Sequence, residues 1–303
     1  MNEETISNDS VLRCLEGATD LHVHSFPDII DRSGSDLDFA RQAKENKMNG
    51  FVIKSHYVPT TDRAILTNSC IAGVNVYGSI ALNNTVGGIN PIAVEVAGRL
   101  GGKVVWFPTV DSENEAGKKK LPDMQHPPPW AKMQRQLEKE GFTMNPVTLF
   151  KRNGDFTDEV HSVLQVIKKY KMTLATGHIS PNETKKLVKF AYEEGLEKIV
   201  ITHPEFPSTS FSIQEQVDLC KYGVYFERCY SMPATSKTTW EYMFKEVLAT
   251  KVEHNIISTD LGQKSSIFPV EGMKECARAF LKNGFAEIEV RVMMVDNPKF
   301  LVG

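Results

Sequence analysis

Thr19-Asp20-Leu21-His22-Val23-His24 is the stretch whose reading decides the fold. It is a short apolar run ending in two histidines one residue apart, the pattern of a buried strand. Strand side chains alternate between faces, so His22 and His24 share one face, with Leu21 and Val23 on the other. Two imidazoles on one face at a strand end are placed to grip one metal ion. A complete site then needs further ligands from matching positions later in the chain.

Outward from that stretch, strands and helices alternate. An amphipathic run over 36–48 has Asp36 as its expected N-cap and Phe39, Ala40 and Ala43 at helical spacing. Further strands are predicted over 50–56, 74–82, 103–107, 172–178, 198–203, 224–230 and 255–260, separated by helical runs and by no hairpin signal. Eight strands, each followed by a helix, give an α/β chain with the connectivity of a (β/α)8 TIM barrel. The competing doubly wound open sheet lacks a glycine-rich phosphate turn after its first strand. No Pro- or Gly-rich linker divides the repeat, so residues 1–303 are expected to form a single domain.

The rhythm pauses after strand four. Residues 111–157 are polar and include Lys118-Lys119-Lys120 and His126-Pro127-Pro128-Pro129-Trp130. Trp130, Phe142, Leu149 and Phe150 call for burial, which predicts an ordered lid or interface segment rather than disorder. The lysine run reads as a solvated face.

Composition narrows the function classes. The formal net charge of -3 argues against a dedicated nucleic-acid binder. No apolar run reaches membrane-spanning length, and Met1-Asn2-Glu3-Glu4 is not the start of a secretory leader. Cys14, Cys70, Cys220, Cys229 and Cys276 are scattered, without CxxC spacing, and suit reduced thiols of a cytoplasmic protein.

Of the eight histidines, His22, His24, His56, His178 and His203 fall at C-terminal ends of predicted strands, where such barrels build their active sites. Asp260 falls at the same level on strand eight. A His/Asp set of this kind suits zinc, or another divalent metal such as manganese or iron. His126, His161 and His254 lie elsewhere and default to surface or capping roles.

The ordered set of His22-x-His24, His178, His203 and Asp260 on strands one, five, six and eight resembles the amidohydrolase superfamily of metal-dependent hydrolases. The tail Asp296-Asn297-Pro298-Lys299-Phe300-Leu301 also looks like the Asn-Pro-Ala-x-Leu closing segment common there. The resemblance implies that His22 and His24 bind the more buried metal and that His178 and His203 bind a second metal or the substrate. It gives Asp260 the catalytic role of touching metal and receiving a proton from the attacking water.

The chain departs from that family on strand four, which carries neither of the bridging residues, lysine or glutamate, found in many binuclear members. Lys54 on strand two is the available substitute, as carbamate or neutral amine; a protonated Lys54 would instead bind an anionic substrate group or Asp20. One or two metal ions are therefore both open. His56 reads as a substrate contact or as a residue behind the ligands; Asp111 beyond strand four and Glu227 or Arg228 on strand seven, whose facing the sequence leaves undecided, read equally as substrate contacts or as ordinary rim charges.

The expected activity is metal-dependent hydrolysis of an amide, lactam, lactone or ester-like bond in a small molecule. A metal-dependent phosphoesterase, a deaminase and a decarboxylase are the competing enzymes. A barrel without chemistry, serving as a structural or regulatory subunit, is the non-enzymatic alternative. No motif points to a nucleic acid or membrane partner, and a homo-oligomer is compatible with the insertion.

Overall fold

The structure is a computed structural model that describes residues 6–118 and 129–303. Nine parallel strand segments form its centre: β1 Thr19–Val23, β2 Gly50–Ile53, β3 Asn75–Tyr77, β4 Ser79–Ala81, β5 Val104–Trp106, β6 Thr173–Ala175, β7 Ile199–Ile201, β8 Tyr225–Cys229 and β9 Asn255–Ser258. β3 and β4 are two pieces of the one expected third strand, divided at Gly78. A Cβ on Gly78 would lie 2.4 Å from the Thr61 Cα, so helix Thr61–Cys70 presses directly on the backbone there. The Thr60 hydroxyl stands in for the lost ladder bonds, donating to the Ile53 carbonyl (2.8 Å) and accepting from the Ser79 amide (2.9 Å).

The segments pair as a three-stranded leaf, β1-β2-β3, and a six-stranded leaf, β4 to β9. The ring closes where the last strand's exit meets the first. The Asp260 amide donates to the His22 carbonyl at 2.9 Å, and the His24 amide donates to the Leu261 carbonyl at 2.8 Å. The buried Asp20 carboxylate adds to this seam, accepting from the Thr259 amide (3.0 Å) and hydroxyl (2.5 Å). The result is the eight-stave α/β barrel expected from the strand–helix rhythm.

Alternation along each stave sorts its side chains. Val52, Ala81, Val104, Trp106, Ala175, Val200 and Ile256 fill the interior, while Phe51, Ile53, Val105, Leu174 and Phe226 face the helices. Leu21 departs from its expected side. It joins the interior cluster although it neighbours His22, because the β1–β2 register shifts between Asp20 and Val23. That irregularity places consecutive residues on the inner side.

Helix starts are fixed by capping boxes at Ser35/Asp38, Ser180/Glu183 and Ser212/Glu215. Asp36 is therefore not the N-cap; it begins the helix, and its carboxylate takes the Arg63 guanidinium at 2.8 and 2.9 Å. An unexpected helix, Asn8–Leu15, precedes β1 and buries Val11, Cys14 and Leu15. At the other end, helix Asn297–Val302 plugs the barrel floor with Leu301 and Val302. The Asn297 side chain donates there to the Asn255 (2.7 Å) and Val252 (3.1 Å) carbonyls, which gives the closing segment its structural job.

The 111–157 insertion contributes helices Glu113–Lys118 and Pro129–Lys139. Trp130 and Leu149 are buried as expected, but Phe142 is 60% exposed, because it follows the turn at Gly141 that ends the second helix. Lys119, Lys120 and His126 lie outside the described residues, as does Met1-Asn2-Glu3-Glu4. No helix among the described residues is long and apolar enough to cross a membrane.

The seam yields a test. Gly262 has φ +118°, and a Cβ there would sit 1.6 Å from the His24 carbonyl oxygen. Gly262→Ala is expected to lower stability by about 2 kcal/mol or more, read by denaturant or thermal unfolding. A variant as stable as the parent would show that the seam has slack.

Candidate metal centre

Five imidazoles circle the C-terminal mouth of the barrel. Ring centroids are 5.3 Å apart for His22–His24, 5.1 Å for His24–His56, 5.9 Å for His56–His178, 5.0 Å for His178–His203 and 6.1 Å for His203–His22. All five are buried. They come from the ends of the first, second, fifth and sixth staves, as their sequence positions implied. His203 and Asp260 hold left-handed backbone conformations (φ +26° and +51°), a costly arrangement for residues with side chains that clusters at functional positions. Gly177 makes the equivalent turn before His178. Its Cβ would meet the Phe107 carbonyl oxygen at 2.2 Å, so only glycine fits.

Asp260 is the hub. Its Oδ1 lies 3.1 Å from His22 Nε2 and 3.2 Å from His24 Nε2, while Oδ2 accepts from the Ser231 hydroxyl at 3.0 Å. Behind His22, both oxygens of Glu227 lie 3.2 Å from Nδ1. A carboxylate only accepts, so Nδ1 carries a proton toward Glu227. The opposite ring nitrogen, Nε2, is approached by the Asp260 oxygen at 3.1 Å and by Lys54 Nζ at 2.9 Å. His22, His24 and Asp260 thus offer three ligand atoms within 4.8 Å of one another.

Charge follows from burial and these neighbours. Burial opposes ionisation of Asp260, yet His22, His24 and Lys54 hold its carboxyl well below the usual range. Burial also opposes charge on Glu227, and His22, His203 and Lys54 again outweigh it. The Lys54 amine is pulled below its usual value by burial, against the attraction of Asp260 and Glu227. Burial pushes His24, His56 and His178 well below the ordinary imidazole value and His203 to about 4. These four rings are neutral at pH 7, the form that ligates metal or hydrogen-bonds substrate.

Three buried nitrogens, the Nδ1 atoms of His24, His178 and His203, have no hydrogen-bond partner among the described residues. Such atoms are rare in folded proteins and ask for an ion, water or ligand. His56 is better provided for, with Nδ1 2.9 Å from the Thr109 hydroxyl. The chemistry of this donor set fits a divalent cation: neutral imidazoles, an ionised carboxylate, and a carboxylate behind the His22 ring.

The strand-seven ambiguity resolves cleanly. Glu227 faces inward to His22, and Arg228 faces outward, fully buried between Glu205 (2.6 Å), Gln216 (2.8 Å) and Asn255 (2.7 Å). Asp111 lies apart from the cavity wall. Its carboxylate takes the Asn84 amide (2.9 Å) and the Gln134 side chain (2.7 Å), tying the insertion to the third-stave loop. The cavity over the histidines measures about 1040 Å3 and is lined by His24, Lys54, His56, His178, His203 and Asp260. Arg32, Glu115, Trp130, Phe206, Tyr230 and Lys237 line it too, and sequence reasoning singled out none of them as site residues. The Asp28-x-x-x-Arg32 spacing, in the loop leaving the first histidine strand, was the available signal for Arg32.

Solved structures similar to this one place the fold. An amidohydrolase from Pseudomonas aeruginosa superposes with a TM-score of 0.60 at 10% identity, covering 96% of this chain and 97% of that one. A probable 2-pyrone-4,6-dicarboxylic acid hydrolase from Acinetobacter baumannii gives 0.58 at 14%, covering 95% and 99%. An organophosphorus hydrolase from Deinococcus radiodurans gives 0.58 at 11%, covering 96% and 94%. The barrel is therefore of the amidohydrolase kind in fold. No curated protein matches the sequence. Residues 17–227 match the model of a family of unknown function, DUF6282, and the chain belongs to that family.

Proposed function

We propose that this protein is a metal-dependent hydrolase that cleaves an amide, lactam, lactone or ester-like bond of a small molecule with water. The observation that carries the reading is the convergence at His22 Nε2. There the Asp260 carboxylate oxygen lies 3.1 Å from His22 Nε2 and 3.2 Å from His24 Nε2, a convergence of ligand atoms that a cation would stabilise. The shared fold with the amidohydrolase and the pyrone-dicarboxylic acid hydrolase supports it.

In this reading His22, His24 and Asp260 hold the ion, zinc in preference to manganese or iron, with His178 and His203 on a second ion or on substrate. Such an ion supplies Lewis acidity, lowering the pKa of water to about 7 and polarising a carbonyl oxygen. Glu227 fixes the His22 ring and its tautomer. Asp260, ionised at neutral pH, accepts a proton from the attacking water and passes it to the leaving amine or alkoxide. His56, steadied by Thr109, donates to substrate. Trp130 and Glu115 bring the 111–157 insertion to the cavity, where it serves as a cover that excludes water from the reaction.

Lys54 sets the ion count. As a carbamate it would bridge two ions; as an ammonium it replaces the second one and stays on the Asp260 side of His22. Incubation with 13C-bicarbonate should give a carbamate carbon signal that Lys54→Met abolishes. A spectrum without that signal, beside one bound ion, ends the two-ion form.

Elemental analysis of freshly purified protein is expected to give one or two equivalents of zinc, manganese or iron. Asp260→Asn should keep the fold and lower kcat on esters, lactones or amides by about 1000-fold. No stoichiometric metal, or full activity in that variant, sinks the proposal. Glu227→Gln leaves the ring partnered but removes the charge behind it; metal affinity should fall about 10- to 100-fold in chelator competition. Unchanged affinity would remove Glu227 from the metal site.

A further inference from the structure

We infer that the substrate is a small cyclic or aromatic carboxylic acid, its carboxylate received by Arg32 and its ring seated beside Phe206 and Trp130. The inference rests on the hydrolase reading only for where the scissile bond lies.

Arg32 leaves the β1 loop and lies on the cavity wall with its side chain only 4% exposed. Its Nε and Nη2 both donate to Asp28 Oδ2, at 3.0 and 2.8 Å. Nη1 makes no hydrogen bond to any described residue. A guanidinium keeps its charge when buried, so this leaves an oriented cationic donor on the cavity wall with no acceptor among the described residues. Its charge extends to the histidine ring, where it lowers the pKa of both His24 and His56. Such a donor, fixed in place beforehand, discriminates strongly between a ligand that accepts its hydrogen bond and one that does not.

A second cation supports the assignment from another loop. Lys237 lines the same cavity, with Nζ 5.1 Å from the Phe206 ring centre, and it has no carboxylate partner among the described residues. The other lining cation, Lys54, is balanced by Asp260 and Glu227. Asp28 already balances Arg32, so the wall suits one added negative charge better than a phosphate dianion, which would also crowd Glu115 and Asp260.

The apolar seat adjoins these cations. The Phe206 ring centre lies 5.7 Å from His178 and 5.1 Å from His203, and Trp130 lies 6.2 Å from His178. Ile30 and Ile267 continue that surface. A ring resting there brings its substituents against the imidazoles, with the carboxylate left facing the guanidinium. The cavity has room for one or two rings.

The test pairs two esters of equal size, 4-acetoxybenzoate and p-tolyl acetate, with the ligands benzoate and benzamide. The metal-loaded protein should prefer 4-acetoxybenzoate by about 10-fold or more in kcat/KM and bind benzoate over benzamide by calorimetry. Arg32→Met should bring both preferences close to parity with metal content unchanged, which separates carboxylate capture by Arg32 from carboxylate binding to metal. Lys237→Met, a surface change, should lower the 4-acetoxybenzoate kcat/KM by about 3-fold and flatten its dependence on salt. It also keeps the test alive if Arg32→Met does not fold. Equal handling of the charged and neutral probes by the parent protein overturns the carboxylate site and leaves the hydrolase intact. Preferential benzoate binding that Arg32→Met removes, without turnover of either ester, keeps the carboxylate site and overturns the hydrolase.

Discussion

The bond from the Asp260 amide to the His22 carbonyl, 2.9 Å long, is where the scaffold and the candidate site become one object. It joins the exit of the last stave to the first, and so closes the barrel. It also fixes the backbone from which the Asp260 side chain reaches both His22 and His24, at 3.1 and 3.2 Å. The left-handed conformation of Asp260 is sustained by that seam, together with Asp20 on Thr259 and the absence of a side chain at Gly262. Loosening any of these moves the carboxylate away from the imidazoles.

The outer side of the seventh stave does comparable work for Glu227. Its neighbour Arg228 is anchored in a buried network with Glu205, Gln216 and Asn255, and Glu246 lies 3.4 Å away. Burial and the adjoining Glu205 push the Glu246 carboxyl up to about 8, so one proton is retained there at neutral pH and limits the negative charge around the guanidinium. A stave pinned on its outer side leaves little freedom to the residue on its inner side. That rigidity holds the Glu227 carboxylate in place behind the His22 imidazole.

The barrel and much of its mouth were legible in the sequence because both rest on local rules. Alternating strands and helices specify the barrel, and strand-end histidines specify its rim. What stayed hidden depends on register or on tertiary contact. Leu21 turned inward through a register shift that leaves no mark in composition. The third strand broke at Gly78 because a helix presses on it, which no window of sequence reveals. Glu227 and Arg228 were indistinguishable until strand phase was fixed. Arg32 and Lys237 sit on loops whose convergence is purely three-dimensional. Phe142, read as a buried aromatic, stands in solvent because the helix before it ends one turn too soon.

The two-leaf construction of the wall has a mechanical consequence. His22, His24, Lys54 and His56 belong to the three-stranded leaf, and His178, His203, Glu227 and Asp260 belong to the six-stranded one. The leaves meet through side-chain and loop bonds rather than continuous ladders. In the proposed reading, a cation shared by His22, His24 and Asp260 would act as a clasp across the join, and its binding free energy would at the same time be cohesion between the leaves. Metal retention and integrity of the wall would then be a single linked quantity. A lesion at Gly78, away from the candidate ligands, or at Gly262, against the His24 backbone, would then be felt first as a leaking ion.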